Sequence, residues 1–338
     1  METFLPDPKA QQRTTQQLTH SERRSLGPGE HGLVSIIIPT YRRLNDLRHA
    51  VASALAQTHT NIEVIVVADG PDPEVRDALD GLDQRLKYLE LDTNRGPAAA
   101  RNAGVRASRG EWLTFLDDDD TLLPEKVAAC YALADSARPL RMISCRTIYR
   151  RGEKEDVWPS SPIDPGEDIA DYILIRHSLL GRPGVLPIQS LMVHRSIFEQ
   201  VPFSTHKDHE DWAWLLDAWH IAGARVEFCW QPLIIYNIVT NSISRSRRMN
   251  WQDSMEWAER YRIWLSPRAY NSFLTTKVAL KAKRAHDWRG LREIISKVMH
   301  NQPGMLDIFF LTGMVLLPGF VLHIAWKRSL ASGESRPQ

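Results

Sequence analysis

Three short apolar runs constrain this chain more than any other feature: Val34–Ile38, Ile62–Ala68 and Trp112–Leu116. Runs of that length, rich in β-branched residues and closed by Pro39, by Asp69-Gly70-Pro71 and by Asp117, are the pattern of strands buried on both faces of a sheet. Between them the period changes. Leu44, Leu47, Val51 and Leu55 recur at helical spacing, and a short helix with Val75 and Leu79 leads to a candidate strand, Leu86–Leu91. A turn at Asn94-Arg95-Gly96-Pro97 then opens an Ala-rich helix reaching about Ser108. The order β-α-β-α-β-α-β predicts an α/β fold: a Rossmann-like, mostly parallel mixed sheet with right-handed crossovers, flanked by helices.

The second half is less regular. Leu140–Tyr149 and Ile188–Val193 read as strands around a Pro- and Asp-rich linker, Trp158–Asp168. His209–Ala222 reads as a helix carrying Trp212, Trp214 and Trp219, and Arg225–Ile238 as a strand region interrupted by Pro232. Residues Trp251–His300 carry a helical pattern with basic residues such as Lys281, Lys283 and Arg284. We divide the chain into a polar, disordered lead-in (1–32), an α/β domain (33–245, with halves 33–120 and 121–245) and a helical C-terminal extension (246–338). The 338 residues suit about two domains. A net charge of +1 gives no case for nucleic-acid binding. Cys130, Cys145 and Cys229 lack CxxC spacing, which fits reduced, buried thiols in a cytoplasmic protein rather than a disulfide framework or zinc site. The N-terminus shows no apolar signal region. Ile308–Leu322 is apolar but shorter than the roughly twenty residues that span a bilayer. It reads either as a buried terminal helix or as one lying on the inner face of a membrane, with Lys327 and Arg328 at the headgroups.

The chemistry gathers at strand ends. Trp112–Leu116 stops at four successive carboxylates, Asp117, Asp118, Asp119 and Asp120. They repel one another, and a divalent cation such as Mg²⁺ would relieve that while taking one or two carboxylates plus substrate phosphate oxygens. A solvated acidic turn capping the next helix is the plainer reading. Open α/β sheets bind ligands beyond the carboxyl ends of their strands, where Pro39, Thr40, Tyr41, Arg42, Arg43 and Asp69 also fall. Tyr41 can stack on a base, Asp69 can accept from a base N–H, and Arg43, Arg95 and Arg101 can pair with phosphates.

Together these motifs resemble family 2 of the glycosyltransferases, whose fold is the nucleotide-diphospho-sugar-binding GT-A fold. They are VSIIIPTYRR (Val34–Arg43), Ala56-Gln57-Thr58, IEVIVVADG, then Asn94-Arg95-Gly96-Pro97-Ala98-Ala99-Ala100-Arg101-Asn102-Ala103-Gly104, and Gly110-Glu111 through Pro124. The likeness runs from Leu33 to about Ile238, and five motifs occur in order. It implies Asp119 as main metal ligand, for Mn²⁺ or Mg²⁺, with Asp117 or Asp118 contacting metal or ribose. It also implies Thr40, Tyr41 and Asp69 around the base, and Arg101 facing the donor. Ala68 stands where the family has the first acid of its usual Asp-Asp pair, which leaves Asp69 as the carboxylate at that strand end.

The family also places Glu-Asp at the start of a later helix, here Glu210-Asp211. The resemblance implies Asp211 as general base, with Glu210 its neighbour, in a single inverting displacement on a nucleotide-diphospho-sugar, with UDP expected. The acceptor would be a hydroxyl of a glycan or lipid-linked sugar in cell-surface polysaccharide synthesis. The plain reading of Asp208, Glu210 and Asp211 is favourable charge at a helix N-terminus. Trp212 is the candidate for acceptor contact. Asn241–Arg248 is a candidate loop over the diphosphate, and His206 and His209 are candidate extra ligands. Rival readings are a nucleotidyltransferase, opposed by the absence of glycine in Thr40–Leu47, a non-catalytic sugar-nucleotide-binding scaffold, and a cation sensor, which lacks EF-hand spacing.

Overall fold

The computed structural model describes residues 26–27, 29–135, 138, 140–178, 184–204, 209–238 and 250–316. The N-terminal lead-in up to 25, the 241–248 loop, His206, Asp208 and everything after Leu316 lie outside the described residues.

The expected alternation is present. Strand β1 (Glu30–Thr40), helix α1 (Leu44–Leu55), β2 (Ile62–Ala68), α2 (Pro73–Leu79), β3 (Leu86–Glu90), α3 (Pro97–Ala107) and β4 (Gly110–Phe115) follow in order. β1 pairs in parallel with β2 and β4, and β2 with β3. Side chains alternate between two apolar layers, as strand geometry requires. Val34, Ile36 and Ile38 pack with Leu47, Val51, Val75 and Leu79 of α1 and α2. Ile37, Leu113 and Phe115 face the opposite layer, with Ala98, Ala100 and Val105 of α3. Gly104 allows that approach, because a side chain there would collide with Ile37.

The later strands extend the sheet in an order that sequence does not announce: β3-β2-β1-β4-β8-β6-β9-β5, with β7 on the edge of β6. These are β5 (Thr121–Leu122), β6 (Arg141–Arg151), β7 (Lys154–Trp158), β8 (Leu191–His194) and β9 (Arg225–Asn237). β8 runs antiparallel to both β4 and β6, while β6 and β9 are parallel, so the sheet is mixed. Pro232 lies opposite Arg146 where the β6–β9 register shifts; a residue without an N–H cannot continue the ladder, and a bulge absorbs it. Thus β9 is one strand, not two.

Helix α4 (Lys126–Tyr131) follows β5. Further on come α5 (Ile169–Leu174), α6 (Arg195–Gln200), α7 (Glu210–His220) and the C-terminal helices α8 (Trp251–Arg260), α9 (Pro267–Phe273), α10 (Ala279–Arg284), α11 (Trp288–His300) and α12 (Met305–Leu316). The β6–β7 hairpin around Gly152 and the helix α5 are elements that the sequence reading did not foresee. The C-terminal helices join the apolar layer that contains Ile37 and Phe115, through Trp257, Phe273, Leu291 and Leu311. No helix among the described residues is long and apolar enough to cross a membrane. Cys130, Cys145 and Cys229 are buried free thiols.

Candidate active site

β1, β2 and β4 all end at one edge of the sheet, and α7 brings its N-terminus to the same place. The strongest link is Arg101 on α3, whose side chain is only 4% exposed. It donates from Nη2 to Asp117 Oδ1 at 2.8 Å and from Nη1 to Asp211 Oδ1 at 3.0 Å and Glu210 Oε1 at 3.3 Å. Burial alone would disfavour the cation, but Asp211, Asp117 and Glu210 outweigh it and hold Arg101 firmly charged. Its Nε is buried without a partner among the described residues.

The four acids of the turn divide: Asp117 meets Arg101, Asp118 and Asp119 share Arg43, and Asp120 turns inward. Asp118 is buried, accepting from Thr40 Oγ1 at 2.8 Å and Arg43 Nη1 at 3.1 Å. Desolvation pushes it up to about 6, against the lowering effect of Thr40 and Arg43. Asp119 takes the same Arg43 Nη1 at 3.0 Å; burial, and then repulsion from Asp117, raises its pKa. Asp120 faces inward, accepting from Gln189 Nε2 at 2.7 Å and Asn237 N at 2.9 Å, and burial raises it strongly. Asn237 Nδ2 also donates to the Asp119 carbonyl at 2.8 Å. Gln189 and Asn237 therefore hold the turn's shape. Neither was singled out from sequence, because each acts through strands remote in the chain.

Among the described residues no three His, Cys, Asp or Glu side chains form a closed metal site. Asp117 and Asp119 keep 30% and 28% of their side-chain surface open, and the charge of Asp117 acts on Asp119. Two such carboxylates are the protein share that a Mg²⁺-like ion takes when phosphate oxygens complete its shell, so the donor set fits an ion brought with a diphosphate.

The remaining site residues divide. Pro39 and Thr40 are buried at the end of β1, and Tyr41 is exposed with the Arg42 guanidinium 5.3 Å from its ring centre. Asp69 uses both carboxylate oxygens on backbone: Oδ1 accepts from Arg95 N and Oδ2 from Gly96 N, each at 2.7 Å. It thus fixes the loop before α3, which in turn aims Arg101. Arg101 itself faces carboxylates here rather than open space. Asp211 stands 38% exposed in densely packed surroundings, and its pKa is raised by burial, with Arg101 opposing.

Trp212, the candidate for acceptor contact, is half-buried. Its ring is stacked on His209 at 5.1 Å with planes 4° apart, and Lys277 Nζ lies 5.4 Å from its centre. His209 is held neutral by burial, and by Lys281 and Lys277, at a pKa of about 3; its Nε2 meets Ser254 Oγ at 3.0 Å. Both residues belong to an aromatic joint between α7 and the C-terminal helices, with Trp257 and Phe273.

A mixed sheet that is parallel from β3 to β4, with an acidic turn at its carboxyl edge and a helix-borne Glu-Asp pair beside that turn, defines an α/β domain of the GT-A type. Residues 35–202 match the family described as Glycosyl transferase family 2, so this stretch of the chain is a domain of that family. An uncharacterized glycosyltransferase of Haemophilus influenzae is 30% identical over 155 residues, 45% of this chain and 51% of that protein. The succinoglycan biosynthesis protein ExoO of Rhizobium meliloti is 38% identical over 107 residues, 31% of this chain and 30% of its own. The chain spans about half or less of the length of the curated relatives it matches. In shape it is similar to TarS of S. aureus, with TM-score 0.53 and 15% identity over 88% of this chain and 53% of that one. A TarS 1–349 structure in complex with UDP-GlcNAc gives TM-score 0.51 at 16% identity, covering 88% of this chain and 79% of that one. These likenesses show the GT-A type of fold.

Proposed function

We propose that this chain is an inverting glycosyltransferase that moves a sugar from a nucleotide-diphospho-sugar, a UDP-sugar first, to a hydroxyl of a glycan or lipid-linked acceptor. The observation that carries the reading is Arg101, which draws Asp117 from the end of β4 and Asp211 from the start of α7 into one cluster. Donor-side and acceptor-side carboxylates thereby meet at a single point. The complex of TarS with UDP-GlcNAc supports the donor class, and the role of ExoO in succinoglycan biosynthesis supports polysaccharide synthesis as the setting.

In this reading Pro39, Thr40, Tyr41 and Asp69 border the base, with Arg43 and Asp118 beneath the ribose and diphosphate. Asp119, with Asp117, would hold Mn²⁺ or Mg²⁺, which when bound offsets charge on the departing diphosphate. Asp211 accepts the acceptor hydroxyl's proton as that oxygen attacks the anomeric carbon; the bond from that carbon to the diphosphate oxygen breaks on the opposite face, and the diphosphate leaves with the electron pair. A base whose pKa is raised toward the working pH is better suited to that transfer. Glu210 shares Arg101 and helps hold the cluster.

We place the protein in the cytoplasm, touching the inner face of a membrane through α12. Along that helix Met305 is 90% exposed and Leu316 72%, with Ile308, Phe309 and Val315 also open to solvent, a stripe at helical spacing.

Calorimetric titration with UDP, with and without Mn²⁺, on wild type and Asp119→Ala tests the reading. Binding that requires both metal and Asp119 is expected. Folded protein that binds no nucleoside diphosphate in the presence of metal would overturn it in favour of a scaffold.

A further inference from the structure

Beyond Asp211, the sheet offers a feature that no motif pointed to. Tyr149 on β6 and Tyr236 on β9 are register partners on adjacent parallel strands, so their side chains leave the same face of the sheet. Their ring centres are 5.1 Å apart at an angle of 37°, and both residues are half-buried. Tyr236 is tied to the acidic turn through its neighbour: Asn237 donates from N to Asp120 Oδ1 at 2.9 Å and from Nδ2 to the Asp119 carbonyl at 2.8 Å. Burial first, and then the nearby carboxylates of Asp120, Asp117, Asp119 and Asp211, keep its phenol protonated.

Topology says which substrate this pair would meet. In the order β3-β2-β1-β4-β8-β6-β9-β5, the residues read as the base and diphosphate pocket lie on β1, β2 and α3. β6 and β9 lie on the far side of β4 and its acidic turn, on the acceptor's side. On α7 itself, Trp214 is fully buried and Trp212 is stacked on His209.

We infer that Tyr149 and Tyr236 form the platform on which the acceptor's sugar ring rests, which makes the acceptor a pyranoside presenting an apolar ring face. Two aromatic faces give such a ring a large contact at low conformational cost, and the phenol hydroxyls give it polar partners. The inference rests on the transferase reading for the direction of approach, while the platform has its own readout.

The test is saturation-transfer NMR on the UDP- and Mn²⁺-loaded protein with a panel of simple methyl pyranosides (glucoside, galactoside, mannoside and N-acetylglucosaminide). Wild type should pass saturation to the ring protons of at least one. Tyr149→Leu and Tyr236→Leu, which keep apolar bulk without a ring, should weaken that binding about tenfold. Tyr149→Phe should restore it, and calorimetric UDP affinity should not change. Pyranosides that bind the Leu variants as well as wild type overturn the platform, as does a protein that binds UDP but none of the panel. Failure to bind UDP, with pyranoside binding intact and lost in the Leu variants, overturns the donor reading and leaves the platform standing.

Discussion

Arg101 and Asp211, 110 positions apart in the chain, are joined by a hydrogen-bonded ion pair of 3.0 Å in which the guanidinium is almost wholly enclosed. The same guanidinium holds Asp117 at 2.8 Å. Removing the cation would leave three carboxylates facing one another in a partly dry site. Arg101→Gln should therefore destabilise the fold by about 2–4 kcal/mol, read as a lower denaturant midpoint. Arg101→Lys should recover part of this, since a single ammonium cannot reproduce the planar fork. Unchanged stability in Arg101→Gln would mean that the cluster is solvated and the enclosure unimportant.

Asp211→Asn keeps the shape and removes the basic oxygen. Turnover should fall about 10²–10⁴-fold with UDP affinity preserved. Glu210→Gln, whose contact with Arg101 is the longer at 3.3 Å, should cost much less. Equal losses in the two variants would argue that neither acts alone as base.

The buried carboxyl of Asp118, pushed up to about 6, makes stability depend on pH. In the unfolded chain the group titrates near the ordinary aspartate value of about 3.9. Between these values the folded protein keeps a proton that the unfolded chain has lost. The favourable contribution is thus complete below about 4 and disappears as pH rises through about 6. Asp118→Asn, free of that titration, should gain about 1–3 kcal/mol on wild type at pH 8 and nothing at pH 4. Chemical denaturation at both pH values reads the difference, and a gap that does not vary with pH would refute the assignment.

The open stripe on α12 predicts binding to vesicles containing anionic lipid. Burying a large apolar side chain contributes roughly 2 kcal/mol, so Phe309→Glu with Leu316→Glu should reduce co-sedimentation at least about tenfold. UDP binding should be untouched. A double variant that sediments like wild type would remove α12 from the membrane contact.

Local pattern alone determined the first half of this molecule. The β-branched runs at Val34–Ile38 and Ile62–Ala68 alternate with helical spacing, and that periodicity dictates strand, helix and which side chains face each layer, because burial acts on neighbours along the chain. The acidic turn was equally plain, since four like charges at the end of a core strand have no packing reason to be there. Tertiary structure decided what those residues touch. β8 enters between β4 and β6 and β9 returns parallel to β6, and only then do Gln189, Asn237 and Tyr236 arrive beside the turn. Asp69, expected beside the base, also anchors the loop before α3 through both carboxylate oxygens, and Trp212, the candidate for acceptor contact, is stacked on His209. Contacts between residues a hundred positions apart depend on strand order and register, which no local run of side chains encodes.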